Sequence, residues 1–255
     1  MDRLKDKVAI VTGGNSGIGE ATCELFAKEG AKVVVASLNA SEKDNIAKKL
    51  KAMKADYMMI NTDISNAESV KKCFDKVMKK YKRVDVLVNN AGVLEKGMWS
   101  IEKCKEEDWD FVSSVNVRGT MMCMKHATQI MLKQKSGSIV NIASIAGAKG
   151  FAGAVYAATK GGMLGLARSS ALRLQGTGVR INTICPGGVL TPMAMQQNPE
   201  ETDADTMTAM AKFGQVGQET MSMPIEIAYP ILFLASDESS AITGQEIIVD
   251  KGTSL

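Results

Sequence analysis

Histidine is nearly absent: His126 stands alone in 255 residues. A metal site built on histidines is thereby excluded, and a histidine-based triad would have to use this one residue. Its stretch, Met121-Met122-Cys123-Met124-Lys125-His126, reads as helix, with His126 a packing or surface residue. The five cysteines (Cys23, Cys73, Cys104, Cys123, Cys185) are scattered, odd in number and lack any Cys-x-x-Cys pair. That excludes a disulfide framework and fits a reducing cytoplasm. Aromatic residues make up only 5%, and 31 basic against 28 acidic residues leave a net charge of +3. With no basic block interleaved with aromatics, nucleic acid is not expected as a partner. The Lys-rich stretches Lys48–Lys51 and Lys79–Lys82 read as solvated helix faces. No run of ~18 apolar residues exists, so no membrane helix is expected. The charged start, Met1-Asp2-Arg3-Leu4-Lys5-Asp6-Lys7, runs straight into a strand-like segment and does not read as a signal peptide.

What is present is an alternation. Short β-branched runs begin at Val8, Val33, Tyr57, Val84, Ser138, Val179 and Glu246. Helical patterns lie between them: Gly17–Glu29, Ser41–Lys54, Asn66–Lys80, 104–117, 119–134 and Val155–Leu174, with Pro224–Ala235 before the last strand. Strands this apolar, joined by helical crossovers, predict a doubly wound, Rossmann-like α/β fold: a parallel sheet with helices on both faces. No linker or repeat interrupts it, so residues 1–255 read as one domain. A polar, Met-rich loop region over 187–223 reads as a lid within it.

Strand one runs into Thr12-Gly13-Gly14-Asn15-Ser16-Gly17-Ile18-Gly19, and a helix follows. Glycines there let backbone approach a phosphate, and the helix N-terminus offers free N–H groups. A P-loop is the rival. Gly14 and Gly19 have its spacing, but Glu20 and Ala21 stand where Lys and Ser/Thr belong. Further on, Tyr156 and Lys160 are four residues apart, one above the other on a helix. A free phenol titrates near pH ~10, and a cation within roughly 4–6 Å favours the phenolate. Such a tyrosine can exchange a proton with an alcohol or ketone near neutral pH.

Taken together, Thr12-Gly13-x-x-x-Gly17-Ile18-Gly19, Asn89-Asn90-Ala91-Gly92, Asn116, Ser144, Tyr156-x-x-x-Lys160, Pro186-Gly187 and Ile242-Thr243-Gly244 occur in an order that resembles the short-chain dehydrogenase/reductase family in its compact form. The resemblance covers essentially the whole chain. It implies that Tyr156 is the general acid/base, that Lys160 lowers the Tyr156 pKa and holds the nicotinamide ribose, and that Ser144 binds the substrate oxygen. Asn116 would complete a proton relay through water and Lys160. Without the resemblance, Asn116 reads as a helix-interrupting polar residue.

The resemblance also implies a cofactor, NADP or NAD. Gly13, Ser16, Ile18 and Gly19 would hold the pyrophosphate. Asp63 would accept from the adenine amino group with Ile64 beside it, although Asp63 could equally shape a turn. Asn90, Ala91 and Gly92 would pack on adenine and ribose; Pro186, Gly187, Val189 and Thr191 would border the nicotinamide. At the end of strand two stand Ser37-Leu38-Asn39, with Asn15-Ser16 in the loop. The carboxylate that repels a 2′-phosphate is missing, and so is the guanidinium that attracts one. The reading falls narrowly to NADP. No metal is expected.

The segment after Pro186 folds over the substrate in this family. Here it carries Met193, Met195, Met207, Met210, Phe213, Met221 and Met223, and methionine suits irregular apolar ligands. Trp99, Ile145 and Phe151 add apolar surface. The expected reaction is hydride transfer between NAD(P)(H) and a secondary alcohol or ketone. A bulky apolar ring such as a hydroxysteroid or bile acid is the leading substrate; a 3-oxoacyl thioester or a sugar/polyol is the alternative. With 17 methionines in the chain, these could also simply pack the lid. A non-catalytic dinucleotide-binding regulator would not need the Ser144, Tyr156, Lys160 set. A homotetramer is implied by the resemblance.

Overall fold

The structure is a computed structural model that describes residues 2–195, 201–213 and 220–255. Seven strands, β1 (Val8–Thr12), β2 (Lys32–Ser37), β3 (Tyr57–Asn61), β4 (Val86–Asn89), β5 (Gly137–Ile142), β6 (Val179–Pro186) and β7 (Glu246–Val249), form one sheet in the order 3-2-1-4-5-6-7. Every pairing is parallel. This is the expected Rossmann-like sheet.

Alternation along each strand explains the two helix layers. In β1, Val8 and Ile10 point to one side and join α3 (Ala67–Tyr81), α5 (Thr120–Gln134) and α7 (Ala154–Arg173) through Val70, Phe74, Ala127 and Ala167. Ala9 and Val11 point to the other and meet α1 (Gly17–Lys28), α2 (Asn45–Ala52) and α10 (Pro224–Ala235) through Cys23, Phe26, Leu50 and Ile231. Phe26, Ile10, Leu50 and Leu87 are fully buried, each contributing about 1.5–3 kcal/mol by leaving water. Successive connections leave β1 and β4 toward opposite ends of the sheet, which opens a crevice at their C-terminal ends.

Several predicted elements change in detail. The Ser41 start moves to Asp44, because Ser41 donates its amide and hydroxyl to the Asp44 carboxylate in a turn before α2. The helices expected at 104–117 and 119–134 are one continuous rod. It comprises α4 (Glu106–Ser113), a π-helical segment (Ser114–Gly119) and α5. Asn116 therefore widens the helix rather than interrupting it. A short helix, α6 (Ile145–Lys149), follows Ser144. The 187–223 region, expected as loop, contains α8 (Pro192–Met195) and α9 (Ala204–Phe213). Residues 196–200 and 214–219 of that lid, and the side chain of Phe213, lie outside the described residues.

Among the described residues no helix is long and apolar enough to cross a membrane. His126 stacks on Phe74 with ring centroids 5.5 Å apart, in keeping with a packing residue.

Candidate active site

The C-terminal ends of β1, β4, β5 and β6 converge on a cavity of about 600 Å³. The glycine turn forms one wall. Gly13 and Gly17 have φ of +62° and +53°, which glycine adopts without strain. A Cβ on Gly19 would overlap the Gly13 carbonyl, and one on Gly13 would stand 2.9 Å from the Ala91 Cα. The turn is stitched to the end of β4. Thr12 Oγ1 accepts from the amides of Asn90 (3.0 Å) and Ala91 (3.1 Å), and Asn90 Nδ2 donates to the carbonyls of Thr12 (3.0 Å) and Gly13 (3.1 Å).

Of the cofactor residues read from the sequence, Gly13, Ser16, Ile18, Ser37, Leu38, Asp63, Ile64, Asn90, Ala91, Gly92, Pro186, Gly187, Val189 and Thr191 line the cavity. Gly19 does not; it packs behind the turn against Gly13 and Asn90. The Asn90 amide is spent on the turn itself. Asp63 shapes its own turn through one oxygen, which accepts from the Ser65 amide (2.9 Å) and hydroxyl (2.7 Å). The buried Ser37 Oγ has no hydrogen-bond partner among the described residues. A side-chain-free cradle and an unsatisfied hydroxyl at the end of β2 fit a dinucleotide laid from the turn across to β2.

Ser144, Tyr156 and Lys160 meet at the floor of the same cavity. Ser144 lies two residues beyond β5 and caps α6, accepting from the Ala146 amide at 3.0 Å. Tyr156 is the third residue of α7, and Lys160 lies one turn on. The Lys160 ammonium is buried, 5.5 Å from the Tyr156 ring centroid, and donates to the Ile142 carbonyl at 2.8 Å. Burial pushes its pKa down to about 8.

The phenol departs from expectation. Burial holds the Tyr156 pKa well above its ordinary value; the Ser144 side chain draws it back, and the charge of Glu95 raises it further. The Lys160 ammonium lies over the phenol ring rather than at its hydroxyl, and its donated bond goes to the Ile142 carbonyl. Asn116 lies behind the cavity wall. It is fully buried and does not line the cavity. Its side chain grips the backbone of Val93 from both sides, accepting at 2.9 Å and donating at 2.9 Å, and donates to Thr159 Oγ1 at 3.1 Å. The side chain thus clamps the strand-four turn to α7, its Oδ1 and the Lys160 ammonium both flanking Gly92.

With this geometry in place, comparison with known proteins is direct. The sequence profile of the enoyl-(acyl carrier protein) reductase family matches residues 13–254. The chain belongs to the short-chain dehydrogenase/reductase family. Among curated members of that family, the 3-oxoacyl-(acyl-carrier-protein) reductase FabG of Thermotoga maritima is 40% identical over 253 residues, covering 98% of each chain. Tropinone reductase-like 2 of Erythroxylum coca is 38% identical over 257 residues, covering 99% of this chain and 92% of that one. The crystal structure of levodione reductase superposes with a TM-score of 0.85 at 32% identity over 98% of each chain. A short-chain type dehydrogenase/reductase from Mycobacterium marinum superposes with a TM-score of 0.86 at 25% identity, covering 98% of this chain and 96% of that one. The protein is thus an oxidoreductase of the short-chain family, whose members use NAD or NADP.

The substrate end of the cavity is apolar. Met193, Met210 and Met221 line it, as do Ile145 and Phe151. Met195, Met207 and Met223 are exposed and line no part of it, and neither does Trp99, whose ring packs over Gly97. Val93, Leu94, Met98, Phe111 and Val115 also line it and were not anticipated. They follow the Asn89–Gly92 motif, whose position after β4 was the available signal. Among the described residues no three His, Cys, Asp or Glu side chains are grouped to hold a metal.

Proposed function

We propose that this short-chain enzyme reduces the 3-oxo group of an acyl thioester with a nicotinamide dinucleotide, and runs the reverse oxidation when supplied with the alcohol. One observation carries the catalytic part: Ser144, Tyr156 and Lys160 stand together at the floor of the cavity that the glycine turn borders. The 40% identity to a 3-oxoacyl reductase over 98% of both chains supports the thioester. These relatives favour that alternative over the hydroxysteroid that the methionines suggested.

When bound, the dinucleotide supplies or accepts the hydride at the carbonyl carbon. The protein does the rest. Ser144 Oγ donates to the substrate oxygen and fixes it beside the phenol. Tyr156 passes its proton to that oxygen as negative charge develops, which its high proton affinity keeps available. Lys160, with its ammonium 5.5 Å from the centroid of the phenol ring, carries the positive charge that favours transfer and would hold the nicotinamide ribose. Asn116 acts at one remove by holding Val93 and the Asn90–Gly92 turn in place.

For the cofactor, NADP(H) is the form to test first, with Ser37 Oγ as the unsatisfied donor at the ribose end. One feature opposes it. Asn15 Nδ2 contacts the Asp44 carboxylate at 3.4 Å, which brings a negative charge to the edge of the turn. The segment 187–223 serves as the lid of a single domain. Exposed apolar residues on the helical rod and α7 (Trp109, Met121, Leu132, Leu172) support self-association, for which a homotetramer is the form to test.

A second reading, reduction of a small ring ketone, is supported by the apolar lining and by the tropinone reductase-like and levodione reductase neighbours. The test is consumption of reduced nicotinamide with acetoacetyl-CoA against a panel of cyclic ketones. Turnover of the thioester at least ~10-fold above the rings is expected; the reverse order selects the ring reading. Tyr156→Phe must lose roughly 10²–10⁴ in kcat. Normal turnover by that variant removes the mechanism, and dinucleotide binding without any turnover favours the regulator.

A further inference from the structure

The N-terminus of the catalytic helix has an unusual construction. Its N-cap is Gly153, which has no side chain to satisfy the first amides of α7. Those amides are met from outside, by one segment of chain between β4 and α4. The Ala154 amide donates to the Trp99 carbonyl at 2.9 Å. The Val155 amide faces the Cys104 sulfur. The Tyr156 amide faces the carboxylate of Glu95.

Glu95 is the anomaly. It is 3% exposed, yet neither carboxylate oxygen closes a hydrogen bond of regular geometry among the described residues. It does not line the cavity, so substrate does not explain it. A Cβ on Gly153 would overlap its Oε1, which places the carboxylate directly against the first turn of α7. A buried, unpaired carboxylate costs several kcal/mol unless a field offsets it, and the positive end of a 20-residue helix is such a field. The charged and titratable groups that face it are Asp108 of α4, Cys104 of the capping segment and Tyr156 of α7. None of these is a cation. Tyr156 is the group through which the charge can act on the reaction.

We infer that Glu95 is a positioning residue for proton transfer: its buried carboxylate caps the first turn of α7 from outside the helix, fixes Tyr156 through its amide, and holds a negative charge that keeps the phenol protonated until the substrate oxygen takes the proton. The inference rests on Tyr156 as the proton-transfer group, but not on which ketone is reduced. The field of Glu95 raises the phenol's proton affinity, burial raises that of Glu95 itself, and Asp108 adds to it. An ordinary carboxyl ionises near ~4.3 and a phenol near ~10, an interval that leaves the raised Glu95 room to carry its charge when Tyr156 loses its proton.

The test removes the charge and keeps the shape. Glu95→Gln is compared with the parent protein in two measurements. One is the pH dependence of kcat/KM for ketone reduction, which falls at high pH as Tyr156 deprotonates. The other is the ultraviolet titration of tyrosinate, taken as the difference from a matching Tyr156→Phe protein with and without oxidised dinucleotide. In both, the midpoint is expected to move down by about half a pH unit or more. A folded Glu95→Gln protein whose profile and titration superimpose on the parent's overturns the inference, whatever happens to its Tm. If Glu95→Gln does not fold, Glu95→Ala decides: it removes the carboxylate and adds no bulk against the Met98 main chain that also abuts Gly153, and the same downward movement is expected, with an unmoved midpoint again overturning it. Should no ketone be found, the titration alone is sufficient, so failure of the substrate reading and failure of this one remain distinguishable.

Discussion

The two walls of the cavity are built in different ways. On the cofactor side, backbone meets backbone: Gly13, Gly17 and Gly19 allow close approach, and Thr12 and Asn90 sew the turn to the end of β4. Nearly every group there is fixed by a strand end it belongs to. On the substrate side, the wall is held by side chains reaching far along the chain. The Lys103 ammonium bonds Asp203 at 2.5 Å and Asp205 at 2.8 Å, and the Asp203 amide donates to the Gly97 carbonyl at 2.7 Å. Asp203 in turn accepts from Thr206 and starts α9. A wall of glycine and main chain fits one ligand shape. A wall hung on one lysine can be re-hung, which suits a family whose members reduce different ketones.

Four substitutions break or sharpen this contrast. Lys160→Met should have the largest effect, in two opposite directions. Activity should fall by roughly 10²–10⁴, while thermal stability rises by about 1 kcal/mol, because a buried ammonium with a lowered pKa is removed. The sign follows from linkage. A lysine whose folded pKa lies near 8, below its unfolded value, penalises the native state in full below that pH. The penalty fades as pH rises through about 8 to ~10.4. The stability of the parent protein should therefore climb over that window, and that of Lys160→Met should not, as read from Tm against pH.

Next in size, Gly19→Ala should weaken dinucleotide binding by roughly 100-fold, since its methyl overlaps the Gly13 carbonyl and the main chain must shift. Calorimetry with each dinucleotide checks this. Asp203→Asn should raise KM by roughly 3–10-fold, with kcat and dinucleotide affinity almost unchanged, if α9 only gathers substrate. Lys103 holds the Asp203 carboxyl down to about 2. That tie is complete above the ordinary carboxylate pKa and is lost as pH falls from ~4 toward 2. Acid should thus loosen α9 in the parent and make no difference in the variant, by fluorescence of Trp99 against pH. The smallest change is expected from Asp44→Asn. Removing the charge beside Asn15 should shift the NADP-to-NAD affinity ratio by a few-fold toward NADP; an unchanged ratio means Asp44 only shapes the turn before α2.

The same division explains what could be read from sequence. The strands were legible because most are short β-branched runs, buried nearly throughout in β1, β2, β4, β5 and β6 and half-exposed only at the sheet edges in β3 and β7, and the Gly13–Gly19 turn because its residues are neighbours in the chain. Ser144, Tyr156 and Lys160 were legible as an ordered set. The environment of Tyr156 was not: Glu95 lies 61 positions away, and nothing in Leu94-Glu95-Lys96 marks that carboxyl as buried. The Lys160 ammonium was expected at the phenol, but the Ile142 carbonyl competes for it, and only the packing of α7 on β5 reveals that. Helices α8 and α9 were hidden because they are short: each is capped locally, Thr191 accepting from the Ala194 amide and Asp203 from the Thr206 amide, but neither carries enough apolar periodicity to stand out in a polar, Met-rich stretch. α9 depends on Asp203 and its distant lysine rather than on a long apolar stripe of its own.

The wide turn at Ser114–Gly119 carries one more consequence. A helix that gains a residue in passing is rotated by about 100° relative to what came before. Phe111, upstream, and Val115, at the start of the wide turn, face the cavity; downstream, the rod shows Met122, Cys123, Ala127 and Met131 to the sheet. The bulge is the gear that lets a single rod keep both engagements, with Asn116 as the tooth that catches Val93. Deleting one residue from the segment would leave a more regular helix in which one of the two faces is out of phase with its partner.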